Sequence, residues 1–256
     1  MIHTVYFSPT GSTRRYAEAA GRALQSVLPL QEVRHDWTLP KGRGSEVTCT
    51  AGDLFLFAFP VYGGRVPQLC RQELSRCHGE GTPAILLGVY GNRHYDDALL
   101  EASHILEKQE FSVIGAAALL AEHTITPLLA PHRPEADDLE EAAAFAKRAA
   151  AKLLAGNLEP PDIPGDFPYK PDMPPRPFHP ETTESCLRCG RCAAVCPMGI
   201  IDRTDPFLVA DGCIQCRACM KICPVHAKQF TAEPMLKLQA MLEANCQGRK
   251  ENEYFL

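Results

Sequence analysis

The stretch "VYFSPTGSTRRYAEAAGRAL", Val5–Leu24, decides how the N-terminal half folds. An apolar, β-rich run ends near Phe7, a hydroxyl-rich turn surrounds Gly11, and a helical pattern starts at Thr13. Strand, turn and helix in that order make an anion site: the first helix amides lack partners, and the helix dipole favours negative charge there. Ser8-Pro9-Thr10-Gly11-Ser12-Thr13 contains no lysine, so it is not the G-x-x-x-x-G-K-[ST] loop of nucleoside triphosphate sites. It has one glycine where a dinucleotide fingerprint needs three. What remains suits one phosphate monoester held by amides and hydroxyls without a cation. The plainer alternative is a Ser/Thr helix cap with no ligand.

Working outward, β-rich runs alternate with helical patterns. Strands are predicted at Ile2–Phe7, Leu30–His35, Asp53–Phe59, Ala84–Val89 and Ser112–Leu120. The first, third and fourth are near-continuous apolar runs, as parallel strands covered on both faces require. Helices are predicted at Thr13–Val27, Pro67–Cys77, Asp96–Gln109 and Glu135–Leu154. In the last of these, acids come early and Lys147, Arg148 and Lys152 come late, which suits the helix dipole. The alternation implies a doubly wound α/β fold, a five-stranded parallel sheet in the order 2-1-3-4-5.

Ligands of such sheets bind at the strand carboxyl ends. Two further loops fall there: "FPVYGGRVP", Phe59–Pro67, and "VYGNRHYDDALLE", Val89–Glu101. Each sets aromatics beside glycines, so a planar ring can stack while backbone amides approach its edge. With these loops and the Ser8–Thr13 turn, residues 1–155 resemble the flavodoxin family, whose [ST]-x-T-G-[NS]-T turn holds FMN phosphate. The resemblance implies that Ser8, Thr10, Gly11, Ser12 and Thr13 bind the phosphate. It implies that Pro60, Val61, Tyr62, Gly63 and Gly64 border one side of the isoalloxazine, with Tyr90, Gly91, Asn92 and Tyr95 around the other. Two features depart from that pattern. The only tryptophan, Trp37, lies in a different loop and is expected to pack rather than stack on the ring. The loop "GNRHYDD" carries Arg93 and His94, which suit either an anionic reduced ring or a plain solvated surface.

Composition then changes. Nine of the 23 residues from Leu158 to Pro180 are proline, which predicts a stiff, extended connector pinned by Phe167, Tyr169 and Phe178. Behind it stands an internal repeat: "CLRCGRCAAVCP", from Cys186, and "CIQCRACMKICP", from Cys213. Both halves fit C-x2-C-x2-C-x3-C-P, a thiolate spacing that suits iron–sulfur cubanes. Zinc sites instead use two separated C-x2-C pairs. The segment resembles the bacterial 2[4Fe-4S] ferredoxin family over about 45 residues. In that pattern the fourth ligand of each cluster comes from the other half. One [4Fe-4S] cluster is then expected on Cys186, Cys189, Cys192 and Cys223, and the second on Cys213, Cys216, Cys219 and Cys196. Small neighbours such as Gly190 and Ala218 let amides point at sulfur. Cys70 and Cys77 read as packing residues, and Cys49 and Cys246 carry no signal.

The predicted domains are therefore 1–156, flavodoxin-like and FMN-binding; 157–184, a proline-rich linker; 185–232, a small α+β 2[4Fe-4S] ferredoxin-like domain; and 233–256, a C-terminal helix (Pro234–Ala244) and tail. No apolar run is long enough for a membrane span. No leader is predicted ahead of the first strand, and a cytoplasmic setting suits twelve cysteines outside a disulfide framework. A net charge of −5 is too mild for nucleic-acid binding. It divides into −7 for residues 1–184 and +2 from Ser185 onward, which suggests that the cysteine domain docks on the first.

The whole chain resembles the flavodoxin–ferredoxin fusion proteins of anaerobic bacteria and archaea, and that resemblance implies electron transfer. Three readings follow. The first is an electron relay between two [4Fe-4S] clusters and FMN, converting one- and two-electron steps for a redox partner protein that is donor or acceptor. The second is a cluster-fed FMN-dependent reductase of a small substrate, with Tyr62, His94 and Tyr95 as candidate proton donors. The third is a ferredoxin with a flavin-free module. A homodimer is compatible with each. No hydrolytic constellation and no NAD(P)H domain is visible.

Overall fold

In the computed structural model, the run around Val5 is strand β1 (Ile2–Tyr6) and the pattern behind the turn is α1 (Ser12–Gln25). The structure describes every residue except Pro175 and Arg176, two linker positions that lie outside the account below. Along the first 156 residues follow β2 (Glu32–Asp36), β3 (Val47–Thr48), β4 (Leu54–Pro60), α2 (Gln68–Leu74), β5 (Cys77–His78), β6 (Thr82–Tyr90), α3 (Ala98–Lys108), β7 (Phe111–Leu120) and α4 (Ala136–Leu154). The cysteine segment carries β8 (Glu181–Thr182), α5 (Arg191–Ala194), α6 (Ala218–Lys221) and β9 (Lys228–Gln229). After it come α7 (Glu233–Asn245) and β10 (Glu253–Phe255).

The main sheet runs β10-β7-β6-β4-β1-β2. Short β3 and β5 pair only with each other, so the five long strands, counted along the chain, stand in the expected order 2-1-3-4-5 and are all parallel. A further strand was not foreseen. Strand β10 adds antiparallel to the β7 edge, with Tyr254 opposite Ala117. Three residues carry too little period to be read as a strand.

Strand β4 explains the continuous apolar runs. Phe55, Phe57 and Phe59 point into one core, while Leu54, Leu56 and Ala58 point into the other. Alternation is present in direction but not in polarity, because helices cover both faces. Helices α1 and α4 cover the Leu54 face with Tyr16, Leu24 and Phe145. Helices α2 and α3 cover the Phe55 face with Leu74, Leu99 and Leu106, together with Cys70 and Cys77. Trp37 belongs to this second core, tilted against Phe57 with ring centroids 5.8 Å apart.

The proline-rich segment has no regular structure apart from its final link into β8, but it is not a free spacer. The Asp97 carboxylate accepts the N–H groups of Asp166 at 2.9 Å and Lys170 at 2.7 Å. Arg71 pairs with Asp172, the Tyr169 hydroxyl meets His104 Nδ1 at 2.6 Å, and Ile163 enters the core. Phe167 remains largely exposed. The connector is a strap across the carboxyl edge of the sheet.

Docking of the cysteine segment owes little to the charge asymmetry. Among the described residues one ion pair joins it to the first 156 residues, Lys221–Glu122 at 3.7 Å and half exposed, a type worth under about 1 kcal/mol. Hydrogen bonds to backbone carbonyls do more: Arg43 Nη2 to Pro197 O at 2.7 Å and Arg217 Nη1 to Ile125 O at 3.0 Å. Ile214 also packs against the Phe55-side core. Among the described residues, no helix is long and apolar enough to cross a membrane.

Candidate cofactor site

The turn after β1 exposes its amides. Gly11 holds φ +94°, a left-handed conformation that glycine adopts without steric cost. Gly11 N–H bonds Ser8 O, and Arg14 N–H donates to Ser8 Oγ at 2.9 Å. Among the described residues no protein acceptor takes the amides of Thr10, Ser12 or Thr13. Those of Thr10 and Ser12 border a cavity of about 250 Å³ lined also by Arg14, Arg15, Glu122, His132, Arg133 and Lys221. Free amides, a helix N-terminus and a rim in which Arg14, Arg15, Arg133 and Lys221 outnumber Glu122 suit the pocket to an anion. Lys221 reaches it from the cysteine segment.

Thr10 and Ser12 also line a second cavity, of about 320 Å³, which continues along the strand ends. The predicted residues Thr13, Pro60, Val61, Tyr62, Gly63, Tyr90 and Gly91 line it. Its roof is unexpected. Lys170, Pro171 and Met173 come from the strap, Ile214 and Gln215 from the second cysteine loop, and Leu238, Met241 and Leu242 from α7. The walls are mostly apolar with a few polar groups at the rim, the usual composition of a cofactor site.

Several predicted residues lie just outside these cavities and support them. Ser8 braces the turn through the Arg14 amide. A Cβ on Gly64 would lie 1.9 Å from Asp96 Oδ2, so Gly64 packs on the next loop. Asn92 sends its side-chain amide to Cys246 O and Gly248 O at 2.7 and 2.8 Å, which fixes the chain after α7. Tyr95 donates to Glu253 at 2.9 Å and anchors β10, and His94 stacks on it at the surface. Of the three candidate proton donors, only Tyr62 faces the cavity. Burial pushes its phenol well above the ordinary value, and the Cys216, Cys70 and Cys213 thiols push the same way. Tyr62 thus stands between the cavity and the second cysteine loop. Burial likewise pushes Tyr90 up to about 12.

Sequence reading missed His123, which follows β7 and lines the larger cavity. Its ring sits 2.5 Å from where a Cβ on Gly91 would be, so glycine there makes room for it. Nδ1 accepts the Ile125 N–H at 3.0 Å, which leaves the proton of the neutral ring on Nε2. Burial, then Arg217 and Arg93, lowers its pKa to about 4. The signal was a lone histidine in a loop with no motif around it.

The eight repeat cysteines surround two enclosed cavities. Cys196, Cys213, Cys216 and Cys219 line one; Cys186, Cys189, Cys192 and Cys223 line the other. In each set three cysteines come from one half and the fourth from the other half. Equivalent positions 27 residues apart share backbone geometry: Arg188 and Gln215, Gly190 and Arg217, and Gly199 and His226 all have positive φ. These kinks turn amides toward sulfur. Arg188 N–H donates to Cys186 Sγ and Gln215 N–H to Cys213 Sγ, both at 3.4 Å, and Ala227 N–H to Cys223 Sγ at 3.2 Å. At Cys223 burial raises the pKa, yet four backbone N–H groups outweigh it and the thiol is lowered. Among the described residues no group of three or more His, Cys, Asp or Glu side chains converges on a point for a single ion. The thiols enclose volumes instead.

Residues 181–224 match a known family, the 4Fe-4S dicluster domain. The chain joins a flavodoxin-like domain to a 4Fe-4S dicluster domain. No curated protein matches it. Solved structures similar to the flavodoxin-like domain include a flavodoxin of Streptococcus pneumoniae TIGR4, 18% identical, covering 59% of this chain and 98% of that one, TM-score 0.42. Another is a Megasphaera elsdenii flavodoxin, 17% identical over 59% and 99%, TM-score 0.38. A third is an NADH:FMN oxidoreductase in its apo form, 14% identical over 59% and 88%, TM-score 0.44. The dicluster match supports two clusters.

Proposed function

We propose that the chain is an electron-transfer protein whose flavodoxin-like domain holds FMN and whose dicluster domain holds two [4Fe-4S] clusters, serving a redox partner protein in a cytoplasmic setting. The observation that carries this reading is the shared wall. Ile214 lines both the large cavity and the cavity of Cys196, Cys213, Cys216 and Cys219. When bound, FMN supplies one- or two-electron chemistry and each cluster supplies single electrons.

The residues fit those groups. Four thiols around each cavity are the soft donor set that a cubane takes, and amides already aim at three of the sulfurs. In the anion pocket the amides of Thr10 and Ser12 would take phosphate, with Arg14, Arg15 and Lys221 adding charge. Tyr62, Gly63, Tyr90 and Gly91 line the larger cavity and would hold the ring there. The strap and α7 keep water off that ring and block the broad exposed face that a separate protein would need. Electron exchange with a partner is then expected at the dicluster domain, where Cys189 is exposed.

Protein purified anaerobically should show flavin absorption bands over a broad iron–sulfur shoulder, with about eight irons and one FMN per chain. Eight irons without flavin would favour the flavin-free reading and sink this one. A second reading, a cluster-fed reductase of a small substrate, is favoured by His123, whose Nε2 proton, with Arg93 and Lys170, lines the cavity. Reoxidation of reduced protein by small acceptors but not by carrier proteins would select it.

A further inference from the structure

At one position the two halves of the cysteine repeat share a backbone conformation but not a residue type. Gly190 in the first half and Arg217 in the second occupy equivalent places, with φ +68° and +60°. Glycine takes that conformation freely, whereas any residue with a Cβ meets steric cost there. The second half therefore keeps an arginine where its backbone favours glycine.

Arg217 is also buried, with 7% of its surface exposed. Its Nη1 donates to Ile125 O at 3.0 Å and its guanidinium lies over the Phe230 ring at 4.8 Å. Among the described residues Nε is a buried donor with no hydrogen-bond partner, the one side-chain atom in that condition. No carboxylate forms an ion pair with it among the described residues. A buried cation with an unsatisfied donor is costly unless negative charge lies nearby. The cavity that Arg217 lines is that of Cys196, Cys213, Cys216 and Cys219. The other cavity has its own buried cation, Lys228, but its Nζ donates to protein acceptors, Thr182 Oγ1 and Pro206 O, both at 2.6 Å.

We infer that Arg217 is a positioning residue that raises the reduction potential of the cluster held by Cys196, Cys213, Cys216 and Cys219, the one beside the flavin cavity. This rests on the proposed function. Reduction adds one electron and one negative charge to that cluster, and no bond forms or breaks. A fixed cation within the same wall stabilises the reduced form more than the oxidised form, since net charge and hydrogen bonds to sulfur set such potentials. The hydrogen bond to Ile125, two residues from His123, ties the same side chain to the cavity loop and holds its position.

The test uses the full chain, purified anaerobically, with iron and sulfide analysis and an EPR-monitored titration against dithionite and mediators. In Arg217→Gln, one midpoint should fall by at least the equivalent of a tenfold loss in electron affinity, about 59 mV for one electron. The second midpoint should stay in place. Arg217→Lys, which keeps the charge, should recover at least half of the shift. Arg217→Gly relieves the backbone and should reproduce the fall, separating charge from strain. Two clusters whose midpoints do not move in Arg217→Gln, or an Arg217→Lys chain as low as Arg217→Gln, overturns this inference alone. Wild-type protein with fewer than two clusters overturns the proposed function and this inference with it.

Discussion

At one end of the composite cavity Thr10, Gly11 and Ser12 come from a single run of three residues, fixed by β1 and α1. The other end draws its walls from loops after β4, β6 and β7, from the strap, from the second cysteine loop and from α7. The turn end needs only local structure to form. The other, the proposed ring end, exists only when the strap, the second cysteine loop and α7 are docked on the strand-end loops. Affinity for a phosphate should therefore be a property of the flavodoxin-like domain, while ring shielding and contact with the cluster side should depend on the whole chain.

The largest expected effect comes from cutting what holds the ring end together. Glu101 is buried and accepts Arg65 Nε at 2.9 Å and Nη2 at 2.6 Å, the Val66 amide at 2.9 Å and Arg71 Nη1 at 3.1 Å. Arg65 and Arg71 in turn hold the strap at Lys170 and Asp172. Glu101→Gln removes the buried counter-charge that Arg65 and Arg71 share, leaving only the half-exposed Asp172, and should cost about 3–5 kcal/mol in urea unfolding. A loss below about 1 kcal/mol would mean that the ring end does not hang on this residue.

A smaller effect should appear on acidification. His123 is neutral when folded, because burial first and then Arg217 and Arg93 lower its pKa from 6.5 to about 4. Below pH 6.5 the unfolded chain binds a proton that the folded chain refuses, so this site weakens folding as pH falls from about 6.5 to 4. Its full stability is present above that window, and the loss reaches at most about 3 kcal/mol. His123→Gln should flatten this part of the stability–pH curve. A curve of unchanged slope in the variant would place the acid sensitivity elsewhere.

This contrast also explains what the sequence could reveal. The five long strands, the turn and the cysteine spacing were legible because each is written in a short contiguous run: an apolar strand, one glycine among hydroxyls, a repeat every 27 residues. Strap, α7 roof and β10 were not, since their meaning depends on what they touch. Proline density predicted an extended path for the strap, but not that Asp97 would bind it at two amides. Asn92 was expected near a ring and instead carries the return of the C-terminal segment. His123 had no neighbouring pattern at all. Residues that act across domains leave no local period.

The two smallest effects set the ends of the cavity against each other. Asn92→Ala removes two hydrogen bonds that hold the chain after α7 and should cost about 1–3 kcal/mol, since Cys246 O and Gly248 O lose their donor. It should loosen α7 over the ring end and leave phosphate affinity unchanged. Gly11→Ala works the other way. A Cβ at Gly11 meets nothing within 4 Å, so the substitution adds no clash, only the steric cost of φ +94°, about 1–2 kcal/mol. The turn would relieve that cost by rotating, which moves the free amides of Ser12 and Thr13 away from the anion. Binding of FMN should therefore weaken by about tenfold or more, as 1.4 kcal/mol implies, while riboflavin, which lacks the phosphate, binds the variant as it binds the wild type. If Gly11→Ala weakens both flavins equally, the turn is supporting the ring end and the division between the two ends fails. If Asn92→Ala weakens FMN and riboflavin to the same degree, the division holds from the other side.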